Sequence, residues 1–441
     1  MNLSQNQILW RLKTPLKSSC STKARALNER IELNTLTPSP QILESIPTPC
    51  YVLEQNKLNY NLEILSRVQN LSGAKVLLAL KGYAFWRRFE KLREILSGST
   101  ASGLYEARLG FEEIGGFKQG KEVCVFSPAY KEVDSLLPFA THIIFNSFHQ
   151  LARFAPRVKE HNKSAEFPIS MGLRINPLYS EVETELYNPC ARFSRLGITP
   201  DAFEKGLREY GREILQNIEG LHFHTHCEQD STALAHTLPR VEKHFGAYFK
   251  GLKWLNFGGG HHITRYDYDE NLLIKLIQDF KARHHLEVFL EPGEAVGWQV
   301  GFLIASVVDI VENEKQIAIL DVSASAHMPD CLEMPYRPSV YKVSKGAIEM
   351  DKGEECARYC YRFGAHTCLA GDVIGDFSFD SKLEIGDRVV FCDMLHYTIV
   401  KNTTFNGVEL PSLGVIERDE KGKENFKILK TFSFSDYKER N

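Results

Sequence analysis

From Ile46 onward, short runs dense in Val, Ile and Leu recur along the chain, each followed by a longer stretch in which apolar residues return every three or four positions. This rhythm predicts strands at 75–80, 99–103, 122–126, 142–146, 168–175, 218–224, 252–257 and 286–291. Helices are predicted between them, among others at 85–96, 105–114, 148–160, 201–216 and 270–284. Strand-like runs alternating so regularly with helices fit a closed β/α (TIM-like) barrel better than an open doubly wound sheet. After Glu291 the alternation stops, and runs at 316–322, 358–363 and 387–393 follow without intervening helices, as a separate β domain would show. Residues 1–42 are polar and rich in Ser and Thr, a composition that opposes packing. The expected organisation is a poorly ordered extension at 1–42, an α/β barrel at 43–295 and a C-terminal β domain at 296–441.

Charge removes several function classes. The 441 residues carry 53 Lys and Arg against 56 Asp and Glu, a formal charge of −3, so no global basic field exists to hold nucleic acid or an acidic membrane. The longest apolar stretch, 296–311, is interrupted by Gln299 and Asp309 and falls short of a membrane span. Basic residues near the N-terminus precede no continuous apolar run, unlike a secretory signal. The 10 Cys have no regular spacing, which predicts free thiols in a reducing compartment and a cytoplasmic location.

In a parallel barrel the reactive groups sit at the C-terminal ends of the strands. Lys81 ends the first run, where burial lowers an amine's pKa and suits it to attack a carbonyl, although a lysine snorkelling from the rim reads the same way. Gly258, Gly259 and Gly260 follow the seventh run and let backbone N–H groups approach a phosphate, or simply make a turn. Glu291 closes the eighth run, placed either to pair with a protonated ring nitrogen or to form a structural ion pair. His222, His224 and His226 alternate, so on a strand they share one face, with Cys227 and Glu228 beside them, which invites a metal. A metal would leave Lys81 and the glycines unexplained, whereas an imidazole stacked on an aromatic cofactor accounts for all three features. Cys356, Cys360 and Cys368 lack a Cys-x-x-Cys pair, so no structural zinc, and no metal elsewhere, is expected.

Together these residues resemble the alanine-racemase-like, fold-type III pyridoxal-phosphate enzymes, and among them the decarboxylases of basic amino acids. The resemblance runs from about Ile46 to the C-terminus. It implies pyridoxal 5'-phosphate carried on Lys81, stacked on His224, held at its phosphate by Gly258, Gly259 and Gly260, and matched at its ring nitrogen by Glu291. Cys368, in Cys368-Leu-Ala-Gly-Asp372, resembles the segment that a partner subunit contributes to the site in this family, with Leu369 in place of an acid, and Tyr397 resembles the tyrosine that reaches the phosphate. The resemblance thus implies a homodimer with shared sites, and Cys368 as the proton donor.

Two departures point to the substrate. Where diaminopimelate decarboxylases have an arginine after Glu-Pro-Gly, this chain has Glu294, and Glu333 stands where their arginine would hold a distal carboxylate. Reversed charge repels an acid, so Asp330, Glu333, Glu294 and Asp372 are expected to favour a substrate whose far end carries ammonium groups, with Arg195 a candidate to orient a carboxylate. The segment 323–338, with Arg192-Phe-Ser-Arg195, resembles the carboxynorspermidine decarboxylase family, which implies removal of carbon dioxide from carboxynorspermidine or carboxyspermidine in polyamine biosynthesis. A diaminopimelate-type decarboxylase is the nearest alternative. A catalytically dead regulatory relative is opposed by the presence of both Lys81 and Cys368, and a metal-dependent hydrolase ranks last.

Overall fold

A computed structural model describes residues 37–333, 335–353 and 358–441. Cys356 and residues 1–36 of the expected extension lie outside the described residues. The described residues form two compact units, a barrel unit at 59–298 and a sheet unit that joins 37–58 to the described residues of 299–441.

Strand β1 (Cys50–Glu54) opens the sheet unit and is considered with it below. In the barrel unit, β2 (Lys75–Ala79), β3 (Gly98–Ala101), β4 (Glu122–Phe126), β5 (His142–Phe145), β6 (Ser170–Arg174), β7 (Gly220–His222), β8 (Trp254–Asn256) and β9 (Glu287–Leu290) close into one barrel. Every pair is parallel, including β2 with β9. All eight strands fall on the predicted runs, β4 with the same bounds, β3 starting one residue earlier, and all but β4 ending sooner. The barrel has an interior filled by side chains: Leu77, Cys124, Ile144, Trp254 and Phe289 pack together there. Trp254 is too large for this space unless its neighbours give way. A Cβ on Gly220 would lie 2.0 Å, and one on Gly172 2.4 Å, from its indole, so the neighbouring strand β7 and the next one, β6, both carry glycine where the ring passes.

Capped helices surround the strands. Ser147 accepts the Gln150 N–H at 3.1 Å to start Phe148–Asn162, and Asp269 accepts the Leu272 N–H at 2.9 Å to start Glu270–His284. The predicted helix at 201–216 divides at Gly211 into Pro200–Tyr210 and a short 3-10 turn.

The sheet unit contains β10 (Gly301–Asn313), β11 (Lys315–Leu320), β12 (Val340–Ser344), β13 (Ala347–Met350), β14 (Tyr359–Ala365), β15 (Val373–Phe379), β16 (Arg388–Cys392), β17 (Ser412–Arg418) and β18 (Glu424–Lys430). With β1 they make a ten-stranded sheet. The apolar stretch after residue 296 is largely β10, whose first seven residues are buried and whose remainder runs into solvent.

Two predicted boundaries are corrected. Strand β1 pairs antiparallel with β10 and parallel with β17, so 43–58 belongs with the sheet and not with the barrel. Its five residues are buried on both faces, and such a short continuous run carries no mark of which sheet it joins. The end of the expected extension is also anchored: Pro40–Ser45 is helical, Leu43 is fully buried, and the Ser39 N–H donates to Glu424 at 2.9 Å. Among the described residues, no helix is long and apolar enough to cross a membrane.

Candidate active site

At the C-terminal end of the barrel, the turns after β2 and β9 meet. The Ala79 N–H donates to the Pro292 carbonyl at 3.0 Å, and the Gly82 N–H closes back on the Ala79 carbonyl at 3.0 Å. A Cβ on Gly82 would stand 2.9 Å from the Glu294 nitrogen, and one on Gly293 2.8 Å from the Ala79 oxygen. Two glycines therefore permit a backbone contact that brings the Lys81 turn against the segment from Glu291 to Glu294. Lys81 is reached by solvent yet closely surrounded by protein. Desolvation, and next the Arg174 guanidinium, hold its ammonium below the ordinary lysine pKa.

Glu291 is 7% exposed and ionised. Burial alone would raise its pKa, but His222 and hydrogen bonds from Asn256 and Thr100 outweigh burial and bring it to about 2. Asn256 Nδ2 donates to Oε1 at 2.7 Å, and His222 Nε2 lies 3.2 Å from Oε2. Burial also lowers the His222 pKa, so this ring acts as a neutral donor through Nε2–H and not as a full positive charge; its buried Nδ1 makes no hydrogen bond. Phe126 stacks on His222 with ring centres 5.5 Å apart, and the Arg174 guanidinium lies over the Phe126 ring, 4.4 Å from its centre. Burial lowers the Arg174 pKa to about 10, still well above neutrality.

The three glycines follow β8 in a loop pressed against the ends of β7 and β9. A Cβ on Gly258 would meet the Phe223 oxygen at 2.4 Å, on Gly259 the Glu291 oxygen at 2.3 Å and on Gly260 the His226 oxygen at 2.0 Å. Gly258 and Gly260 also have φ of +72° and +80°, where glycine is favoured. The loop's N–H groups are not all available to a ligand: Gly258 donates to Asn256 Oδ1 at 2.8 Å and Gly259 to His224 Nδ1 at 2.9 Å. The latter bond fixes the plane of His224 and leaves its proton on Nε2. Burial, followed by the charges of Lys81 and Arg174, keeps that imidazole neutral, with a pKa well below the usual value. A neutral, fixed imidazole, a buried ionised carboxylate and a side-chain-free cradle on one barrel rim fit pyridoxal phosphate.

The alternating histidines do not converge on one point. His222 turns to Glu291, His224 to Gly259, and His226 packs edge-on against His261 with ring centres 4.8 Å apart. Glu294 is half-buried at the start of the short helix Glu294–Gly297. Arg195 is exposed, and its carbonyl accepts from Asn146 Nδ2 at 2.8 Å. Glu106 accepts the Ser102 N–H at 2.6 Å, a capping role.

The remaining predicted residues lie in the sheet unit. Cys368 is exposed, its N–H donating to Asn406 Oδ1 at 2.8 Å. Asp372 is 3% exposed, with its carboxylate taken by its own unit: Ser323 Oγ donates at 2.6 Å, the Ser325 N–H and Oγ each at 3.1 Å, and Thr367 Oγ1 as well. These bonds brace the turn at 323–325, and three of the four fall on Oδ2. Asp330 and Glu333 both hold Lys401, at 2.6 and 2.7 Å. Tyr397 is half-buried, with φ of +42°.

Sequence reasoning gave no role to Arg174, Asn256, Thr100 or Lys401. Asn256 carries a legible signal, since it precedes Gly258 by one strand period on the same rim. Lys401 carries none.

The family model described as "Pyridoxal-dependent decarboxylase, C-terminal sheet domain" matches residues 50–394. A carboxynorspermidine/carboxyspermidine decarboxylase of Campylobacter jejuni is 46% identical over 403 residues, covering 90% of this chain and 99% of the relative. A carboxyaminopropylagmatine decarboxylase of Synechocystis is 44% identical over 402 residues, covering 90% and 96%. Among solved structures, carboxynorspermidine decarboxylase complexed with norspermidine, from Campylobacter jejuni, superposes with a TM-score of 0.76 at 43% identity, covering 90% of this chain and 100% of that one.

Proposed function

Because the chain belongs to the pyridoxal-dependent decarboxylases with a C-terminal sheet domain, we propose that its substrate is a carboxylated polyamine, carboxynorspermidine or carboxyspermidine, decarboxylated to the triamine in polyamine biosynthesis. The observation that carries this reading is the acidic pair Asp330 and Glu333, which already holds an alkylammonium group, where diaminopimelate decarboxylases would carry an arginine for a distal carboxylate. Glu294 adds a third carboxylate. The Synechocystis relative extends the candidates to carboxyaminopropylagmatine, whose guanidinium is equally suited to an acidic pair.

Pyridoxal phosphate, when bound, supplies an electron sink for the pair left behind as carbon dioxide departs. The chain's own residues then divide the work. Lys81 Nζ would hold the cofactor, and its lowered pKa makes the neutral amine available more readily than in an ordinary lysine. The ionised Glu291 would favour the protonated form of the ring nitrogen. Neutral His224 supports the ring face without adding a competing charge. Gly258, Gly259 and Gly260 admit the phosphate close to the backbone, with Tyr397 as a further contact to it. Cys368 Sγ delivers the proton that replaces the lost carboxylate, while Arg195 orients the departing carboxylate.

We read the active form as a homodimer in which the partner chain provides Cys368. Support comes from the match to the partner-contributed segment of the resembled family, and from the apolar Leu178, Leu186 and Phe193, which are 58%, 66% and 87% exposed on one loop of the barrel unit. A cytoplasmic location is our reading too, supported by free thiols at all eight described cysteines.

The test is carbon dioxide release from carboxynorspermidine, carboxyspermidine and carboxyaminopropylagmatine, with diaminopimelate as control. Turnover of a carboxylated polyamine with diaminopimelate spared is the expected result. Preferential turnover of diaminopimelate overturns the proposal.

A further inference from the structure

Two carboxylates assigned above to the substrate are engaged by a residue that no sequence pattern singled out. Lys401 Nζ lies 2.6 Å from Asp330 Oδ1 and 2.7 Å from Glu333 Oε2. The carboxylates come from one turn, Asp330–Glu333, and being three residues apart they share a face. That turn has a firm base: the Glu333 N–H donates to the Pro329 carbonyl at 2.9 Å, and Met328 and Cys331 are buried in the core of the sheet unit. Lys401 arrives from a separate turn, where its N–H donates to the Tyr397 carbonyl at 3.0 Å, and its ammonium stands 6.0 Å from the Tyr397 ring centre.

We propose that Lys401 is a specificity-determining residue, an internal alkylammonium that holds the place of the substrate's distal cation between Asp330 and Glu333 and must be exchanged for it on binding. The inference rests on the reading that this pair receives the substrate. A lysine ammonium and the terminus of a polyamine are the same chemical group, with the same charge, three donors and a flexible methylene stem. Two carboxylates and one ammonium leave a net charge of −1, which still draws a second cation, but Lys401 Nζ already lies within hydrogen-bond distance of both acids, so an incoming ammonium competes with it for the position between them. Burial would lower the Lys401 pKa, but the two carboxylates raise it overall, so the competing cation persists throughout the physiological range. Solvent access makes the exchange inexpensive. The Lys401 side chain is 34% exposed and that of Glu333 54%, and such ion pairs are weak. Lys401 therefore tunes affinity for cationic substrates and does not block the site.

The experiment compares Lys401→Met, which keeps the stem, and Lys401→Arg, which keeps the charge, in the cofactor-loaded full chain, acting on whichever carboxylated polyamine it turns over. Calorimetric binding of the triamine norspermidine supplies a readout separate from turnover. Lys401→Met is expected to lower KM about two- to fivefold and to tighten norspermidine by a similar factor, the loss of one exposed competing pair. The change should sit in KM more than in kcat, and Lys401→Arg should stay near the parent. An unchanged or raised KM and norspermidine dissociation constant in Lys401→Met overturns the proposal. The double variant Asp330→Asn with Glu333→Gln separates the two ideas. If it leaves KM unchanged, the pair does not receive the substrate and the underlying reading fails. If it raises KM while Lys401→Met does not lower it, only the role of Lys401 fails.

Discussion

At Glu291, three neighbours from three different strands set the state of one carboxylate: Thr100 on β3, His222 on β7 and Asn256 on β8. The ring of donors explains why a carboxylate that is 7% exposed stays ionised, and it predicts what a neutral substitute would do. In Glu291→Gln the amide no longer favours a protonated ring nitrogen, and kcat should fall about a hundredfold or more, within the range typical when a preorganised electrostatic group is removed. Steady-state kinetics at saturating cofactor would measure the loss; a change of less than threefold would contradict it. The same depressed pKa has a consequence for stability. Because the folded value lies below the unfolded one, the stabilising contribution is complete above about pH 4.5 and is lost as pH falls toward about 2. Denaturant titrations of the Gln variant across that interval should therefore lose up to one proton's worth of pH dependence, about 1.4 kcal/mol per pH unit. Glu291 itself was legible as a polar residue ending a buried strand. Its partners were not, because strand pairing across the barrel brings them together from positions 100, 222 and 256.

Among the elements, the barrel strands were readable because each interrupts helical periodicity with a short buried run, and the glycine loop because three adjacent glycines stand at a strand end. What the glycines do was only partly readable. The sequence suggested several N–H groups directed to a phosphate, whereas two of the three N–H groups tie the loop to Asn256 and His224. Close approach is the stronger requirement, and it stands alone at Gly259, which has no positive φ yet would place a Cβ 2.3 Å from the Glu291 oxygen. Gly259→Ala must therefore push the loop away from β9 and tilt His224, weakening cofactor retention while leaving the barrel folded. The visible absorbance of bound cofactor, titrated against free pyridoxal phosphate, should show at least about tenfold weaker binding, equivalent to ~1.4 kcal/mol. Unchanged affinity would mean that the loop can relax without disturbing the site. Strand β1 marks the opposite limit: its five buried residues read as a strand of either unit, and only pairing with β10 and β17 assigns it to the sheet.

For the whole molecule, the proposed chemistry requires residues from both units, since Lys81 lies in the barrel unit and Cys368 in the sheet unit. The acids proposed to face the substrate were legible as charge reversals at 294 and 333, but the occupation of the pair at 330 and 333 by Lys401 was not, because the lysine is 71 residues away from its farther partner in the chain. The homodimer reading can be tested through the same division. Lys81→Ala and Cys368→Ala should each be nearly inactive alone, one lacking the amine proposed to carry the cofactor and the other the thiol proposed to return the proton. If the partner chain provides Cys368, a hybrid of the two variants contains one centre with both groups intact and one with neither. Equal mixtures that exchange subunits freely would form hybrids in about half of the dimers, each with one working centre of two, and recover about a quarter of the parent activity. Sedimentation of each variant alone should show that both still assemble as dimers. If every chain served its own centre, no combination of subunits would pair Lys81 with Cys368, and co-expressed variants that form dimers would stay as inactive as either one alone.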